Sequence, residues 1–204
     1  MRIEVCGSIA SGKTTLAAAT AELGFAPCFE RFQDNPFFAK FYADRNAYAF
    51  ETEITFLLQH YSHMREATGD STAVVDFSLA LDLAYAVVTL EAADQTVFTS
   101  VLRRSLEKVG PPALIVRLEC DSSIEIQRIR ARARRGEEAI SLNYLDAVDA
   151  ALEDALASRW FAHVPVVKID SHALDFRPGG ADRIATLQQI ASALRVTTSQ
   201  IATD

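Results

Sequence analysis

The side chains with the clearest chemical purpose stand near the amino end. Gly7, Ser8, Ile9, Ala10, Ser11, Gly12, Lys13 and Thr14 spell G-x-x-x-x-G-K-[ST], and Thr15 follows. That order suits a loop that grips phosphate: its glycines let backbone N–H groups turn inward, Lys13 reaches the β and γ oxygens, and the Thr14 hydroxyl reaches Mg²⁺. An apolar run, residues 3–6, precedes the loop, and residues 15–23 have helical spacing, which sets the phosphates at a helix N-terminus. The competing reading, an ordinary glycine-rich turn, has no need of that setting. Nucleotide binding is the starting point.

Carboxylates further along suit a second substrate. Glu30 stands where a short run, 27–30, gives out, a position equally open to a solvated surface acid. Asp34 or Asn35 can cap a helix with Pro36 at its first position. Phe37, Phe38, Phe41 and Tyr42 on that helix form either core or a wall against which a planar base stacks. Glu53 and His60, seven residues apart on the next helical stretch, share a face. His60 and His63 have the wrong spacing for a metal pair, and a hydrogen-bonded histidine is the expected role. Asp76 ends another run beside the phosphate loop, with Asp82 six residues beyond. It can hold Mg²⁺, cap the helix that begins at Leu79, or do both.

The basic counterpart is residues 128–135, with five arginines in eight positions. Arg128, Arg132 and Arg135 fall at i, i+4 and i+7, so their charges repel unless an anion sits among them. Three readings compete: a polyphosphate clamp, a nucleic-acid patch, and a surface run with acidic neighbours. The clamp is favoured because arginine makes bidentate phosphate contacts and phosphoryl transfer develops the charge they neutralise.

These groups need a scaffold that brings them together. Five β-type runs, at 2–6, 27–30, 73–76, 114–119 and 164–169, alternate with helical stretches that include 46–66 and a pair of helices within 79–108. Near-continuous apolar strands suit a parallel sheet covered on both faces, and the alternation implies a three-layer α/β/α fold with a five-stranded parallel sheet. Ligands then gather at the carboxyl ends of strands, where Glu30 and Asp76 stand. Gly110-Pro111-Pro112 and Pro178-Gly179-Gly180 read as connections within one domain spanning residues 1–204. Beyond Asp170 a loop and a helix over about 181–194 carry no assigned chemistry.

Composition narrows the class. The 204 residues carry a net charge of −7, which repels polymer phosphate and argues against a nucleic-acid partner. Cys6, Cys28 and Cys120 are odd in number and widely spaced, which suits reduced thiols rather than a disulfide framework or a zinc site. Met1-Arg2 leads straight into the first run, and no stretch reaches membrane-spanning length. A soluble, cytoplasmic protein without a membrane partner is expected.

Taken together, the motifs resemble the deoxynucleoside kinases, P-loop enzymes that phosphorylate the 5′-hydroxyl of a deoxyribonucleoside. The resemblance runs from Arg2 to about Asp170. It rests on Gly7 to Thr14, on Glu30 with Asp34-Asn35-Pro36 and Phe41-Tyr42, on residues 52–58, on Asp76-Phe77-Ser78 with Asp82, and on Arg128, Arg132, Arg134, Glu137, Ile140, Tyr144 and Leu145. It implies a P-loop kinase fold with an Arg-rich lid at about 128–138, ATP and Mg²⁺ as cofactors, and a homodimer. Glu30 would be the general base, with a raised pKa. Lys13, Arg128, Arg132 and Arg134 would act on the transferring group, while Thr14 and Asp76 would hold the metal. Tyr42 and Glu137 would take the sugar 3′-hydroxyl, and Asp82, Glu53 and His60 would face the base.

Three departures from the family pattern bear on function. Phe77 replaces an arginine often found after the strand acid, and Arg31 or Arg128 is the expected substitute. Glu53 replaces a glutamine, and His60 an arginine. An ionised Glu53 accepts hydrogen bonds, whereas an amide also donates; either a protonated Glu53 or pairing with a guanine edge points to a purine deoxynucleoside. A nucleoside monophosphate kinase and a catalytically weakened nucleotide-binding regulator are the rival functions.

Overall fold

A computed structural model describes residues 1–67, 71–134 and 136–201. Its centre is a five-stranded parallel sheet formed by β1 (Arg2–Cys6), β2 (Ala26–Cys28), β3 (Ala73–Val75), β4 (Leu114–Glu119) and β5 (Val166–Asp170), in the order β2-β3-β1-β4-β5. The strands lie where expected, although β2 and β3 stop earlier. The chain leaves β2 at Cys28 and β3 at Val75, which frees Glu30 and Asp76 beyond the strand ends.

Helices cover both faces: α1 (Lys13–Ala19), α2 (Phe38–Ala43), α3 (Arg45–Glu66), α4 (Leu79–Thr89), α5 (Ala92–Val109), α6 (Ser122–Arg132), α7 (Leu142–Ala157) and α8 (Arg183–Ile201). Strand alternation explains the layers. Ile3, Val5, Val74, Val116 and Ile169 face α1 and α8, whereas Cys6, Val75 and Ile115 face the core completed by α3, α4, α5 and α7. The fold is the expected three-layer α/β/α arrangement around a five-stranded parallel sheet. Two buried charges interrupt the apolar sheet: Glu4 on β1, which accepts from Arg2, and Arg117 on β4, which donates to Asp149 and Glu153 of α7.

Several boundaries differ for local reasons. Helix α1 starts at Lys13 because Gly12, at φ 104°, is its N-cap, and the last turn, Thr20–Leu23, tightens into a 3₁₀ helix. Neither Asp34 nor Asn35 caps α2: its N-cap is Phe37, and buried Asn35 bridges the Phe37 N–H and the Thr52 carbonyl. Ser78, not Asp76, caps α4, leaving Asp76 for the site. Asp121 caps α6. The tail helix runs from Arg183 to Ile201, longer than expected.

Candidate active site

The carboxyl ends of the strands open into a cleft of about 810 Å³. The expected site residues line it except Gly7, Ser8 and Ser11, which are buried within the loop; of the aromatic wall Phe38, Phe41 and Tyr42 line the cleft while Phe37 stacks on Tyr48, and Arg135 lies outside the described residues. The loop is shaped by close packing. A Cβ on Gly7 would meet Ser11 Oγ at 2.6 Å and the Leu118 carbonyl at 2.8 Å. Ala10 adopts φ 65°, in the left-handed region that is strained for any residue with a Cβ. Lys13 donates from Nζ to the carbonyls of Gly7 and Ser8, both at 2.9 Å. Burial lowers its pKa, while Glu30, Asp76 and Glu125 pull the other way.

Asp76 joins two neighbouring elements. Thr14 Oγ1 donates to its Oδ2 at 2.6 Å, and the Glu30 N–H donates to its Oδ1 at 2.6 Å. Burial raises the Asp76 carboxyl, an effect these hydrogen bonds oppose. Glu30 is thereby fixed at its backbone, while its side chain, 34% exposed, reaches the cleft. Burial pushes the Glu30 carboxyl up, but the hydrogen bond and charge of His60, with Lys13 and Arg134, outweigh it and leave the pKa below the ordinary value. The expected rise is thus corrected.

His60 occupies the middle of an acidic pair. Its Nε2 lies 3.1 Å from Glu30 Oε1, and its Nδ1 lies 2.9 and 3.0 Å from the Asp82 oxygens. Burial disfavours its charge, but Asp82 and Glu30 raise its pKa to about 10. The Phe77 ring stacks on the imidazole at 4.4 Å and 11°. Neither Arg31 nor Arg128 is seen to bond Glu30: Arg31 is exposed, Arg128 donates elsewhere, and the side chain hydrogen-bonded to Glu30 is His60. Next to it, Glu53 accepts from Thr89 Oγ1 at 3.2 Å. Burial and the Asp82 charge push the Glu53 carboxyl up to about 8, which favours its protonated form.

The arginines do not form one open cationic stripe, because α6 ends at Arg132 and Ala133 turns left-handed at φ 46°. Arg128 donates to the Ala10 carbonyl at 3.2 Å and the Ser171 carbonyl at 2.7 Å. Arg132 grips Glu137 with two bonds of 2.8 and 2.7 Å. Arg134 reaches Glu137 Oε1 at 3.3 Å and lies 4.1 Å from the Phe32 ring centre. Glu137, 3% exposed, is the anion that collects their charge here. Gly136 brings this segment against Tyr42, since a Cβ at that position would lie 3.2 Å from the ring. Burial raises the Tyr42 hydroxyl's pKa, reinforced by Glu137.

The sequence reading missed the segment after β5. Residues 171–177 line the cleft beside the phosphate loop, and Phe176 packs over Gly12. The usable signal was positional: strand ends gather ligands, and this applies to the fifth strand as well as to the second and third.

The deoxynucleoside kinase sequence profile matches residues 3–194, and the chain belongs to that family. It is a nucleoside kinase, an enzyme of small-molecule substrates. A deoxyguanosine kinase of Bacillus subtilis is 24% identical over 85% of this chain and 88% of its own. One from Lactobacillus acidophilus is 27% identical over 95% and 90%. A deoxyadenosine kinase of Dictyostelium discoideum is 27% identical over 82% and 71%. The fold matches a deoxyadenosine kinase of M. mycoides solved with bound dCTP, with TM-score 0.74 and 18% identity over the whole of both chains.

Proposed function

We propose that this kinase transfers the γ-phosphate of ATP to the 5′-hydroxyl of a purine deoxyribonucleoside. The observation that carries the reading is the position of Glu30 in the same cleft as Lys13 and Thr14, with side chains suited to a base on one side and residues 171–177 on the other. The donor lies with its phosphates over Gly7 to Thr15 and its base towards Phe176. The acceptor lies between Tyr42, Glu53 and Tyr85, its sugar near Tyr42 and Glu137.

Glu30, kept ionised, accepts the proton of the attacking hydroxyl, and its Asp76-anchored backbone fixes the direction of attack. Lys13 and the lid arginines, Arg128, Arg132 and Arg134 within about 128–138, neutralise the developing charge when the phosphates replace their present partners. The oxygens of Thr14 and Asp76 suit Mg²⁺, because a hydroxyl and a carboxylate converge within 2.6 Å beside the loop, leaving phosphates and water to complete a hard-ion shell. Mg²⁺ supplies charge neutralisation at the phosphates.

Two observations bear on the base, and the second favours a purine. A protonated Glu53 both donates and accepts, as an amide would, so it fits an adenine or a cytosine edge, each with one donor and one acceptor. The relatives named above are deoxyguanosine and deoxyadenosine kinases. Exposed Leu58, Val87 and Val97 on α3, α4 and α5 support a homodimer of single-domain chains. No helix of the described residues is long and apolar enough to cross a membrane.

The direct test offers each of the four deoxynucleosides with Mg-ATP and follows 5′-monophosphate formation. Deoxyguanosine or deoxyadenosine should turn over fastest. No conversion of any of the four overturns the reading, and a sizing column gives the oligomeric state.

A further inference from the structure

We propose that His60 is a positioning residue that works as a fixed imidazolium, bridging Glu30 and Asp82 and supplying the positive charge beside the reacting hydroxyl. The inference rests on the kinase reading for its catalytic consequence, but not for the charge state.

Geometry limits the protonation states open to the ring, although burial raises the Asp82 carboxyl and the His60 charge opposes that rise. A neutral imidazole has one N–H donor and one bare acceptor nitrogen, whereas His60 presents both nitrogens to carboxylates, Nε2 to Glu30 and Nδ1 to Asp82. Only the cation satisfies both contacts with ionised partners. The groups that act on it from the surrounding elements are the carboxyls of Glu30, Asp82 and Glu53, with His63 one turn along α3. The ring itself is enclosed by Phe77 at 4.4 Å and Phe56 at 5.8 Å, leaving the residue 3% exposed. A buried cation survives there because two acids flank it and an aromatic face covers it.

This arrangement gives Phe77 a purpose. Its ring occupies the space beside the imidazole that a longer basic side chain would enter, and a second cation there would face His60 at contact distance. With Phe77 stacked on the imidazole, His60 is the one cation of this pair of positions. The His60 contact also leaves the other oxygen of Glu30 for the hydroxyl, since only Oε1 is bonded to the ring.

The test has two arms. In ¹⁵N-histidine-labelled protein at pH 8, His60 should show both ring nitrogens protonated; one bare nitrogen overturns the proposal, whatever the enzyme's activity. In kinetics, His60→Gln should lower kcat by about tenfold or more while the KM for ATP changes less than about twofold, the pattern of a charge lost beside the reacting group. Phe77→Arg should reduce kcat in the parent enzyme but raise it in the His60→Gln background. An unchanged kcat in His60→Gln, or no recovery with the second substitution in a protein whose melting temperature matches the single variant, overturns the positioning role. Absence of kinase activity in the unaltered protein would instead count against the proposed function, and the nitrogen signals would still decide the charge state.

Discussion

Thr14 and Asp76 meet at 2.6 Å across the gap between α1 and the end of β3, and the same carboxylate holds the Glu30 N–H on its other oxygen. Asp76→Asn keeps one acceptor but loses the charge and one acceptor oxygen. It is expected to reduce kcat/KM by about a hundredfold, the scale seen when a preorganised charge is removed from a reacting centre. A Mg²⁺ titration checks the assignment: the variant should need more metal for half-maximal rate, and an unaltered titration would take Asp76 out of the metal site.

Glu30→Ala should lower kcat by at least about a hundredfold, the usual range for a missing general base. Because the backbone N–H of residue 30 still reaches Asp76, nucleotide binding should persist. Equilibrium binding of ATP alongside steady-state rates distinguishes the two; a variant that turns over normally excludes Glu30 as the base.

Glu53 gives a stability prediction with a definite sign. Its folded pKa of about 8 lies above the ordinary 4.5, so the folded chain holds its proton more tightly than the unfolded chain. The associated stabilisation is complete below about pH 4.5 and is lost as pH rises through about 8, for a total of up to about 5 kcal/mol. Glu53→Gln should flatten the fall in melting temperature between pH 5 and 8 compared with the parent. Since Glu125 is also raised, to about 7, the difference between the two proteins isolates Glu53. Curves that stay parallel would show that Glu53 ionises normally.

Gly136 has φ 97° and faces Tyr42 at contact distance. Gly136→Ala adds a methyl group in a left-handed conformation, at about 1 kcal/mol or more of strain, and pushes on the Tyr42 ring. The KM for the nucleoside should rise severalfold while that for ATP holds, measured with each substrate varied in turn. A rise confined to ATP would disconnect this contact from the acceptor.

Much of the scaffold could be read before any coordinates. Val74-Val75 and Leu114-Ile115-Val116 are apolar on both strand faces, so a sheet with helices on each side follows from the alternation, and the phosphate loop follows from its own spacing. Contacts between distant segments could not be read. The link between Glu30 and His60 spans thirty positions and depends on α3 packing beside the end of β2. Spacing likewise placed Arg128 and Arg132 on one face, but their partners come from Ala10, Ser171 and Glu137, in loops whose paths no periodicity reveals. The same limit hid Phe176, an ordinary apolar residue until Gly12 is seen against it.

The strand order divides the labour of the proposed reaction. Strands β2 and β3 deliver Glu30 and Asp76 to one side of the central loop, while β4 and β5 lead into the arginine helix and the segment around Phe176 on the other. Two residues cross that division, Asp76 towards the phosphate loop and Glu137 towards Tyr42, so changes in α2, α3 and α4 reach the proposed base subsite most freely. In the proposed reaction, substitutions in those three helices would change the nucleoside accepted and leave the phosphate loop as it is.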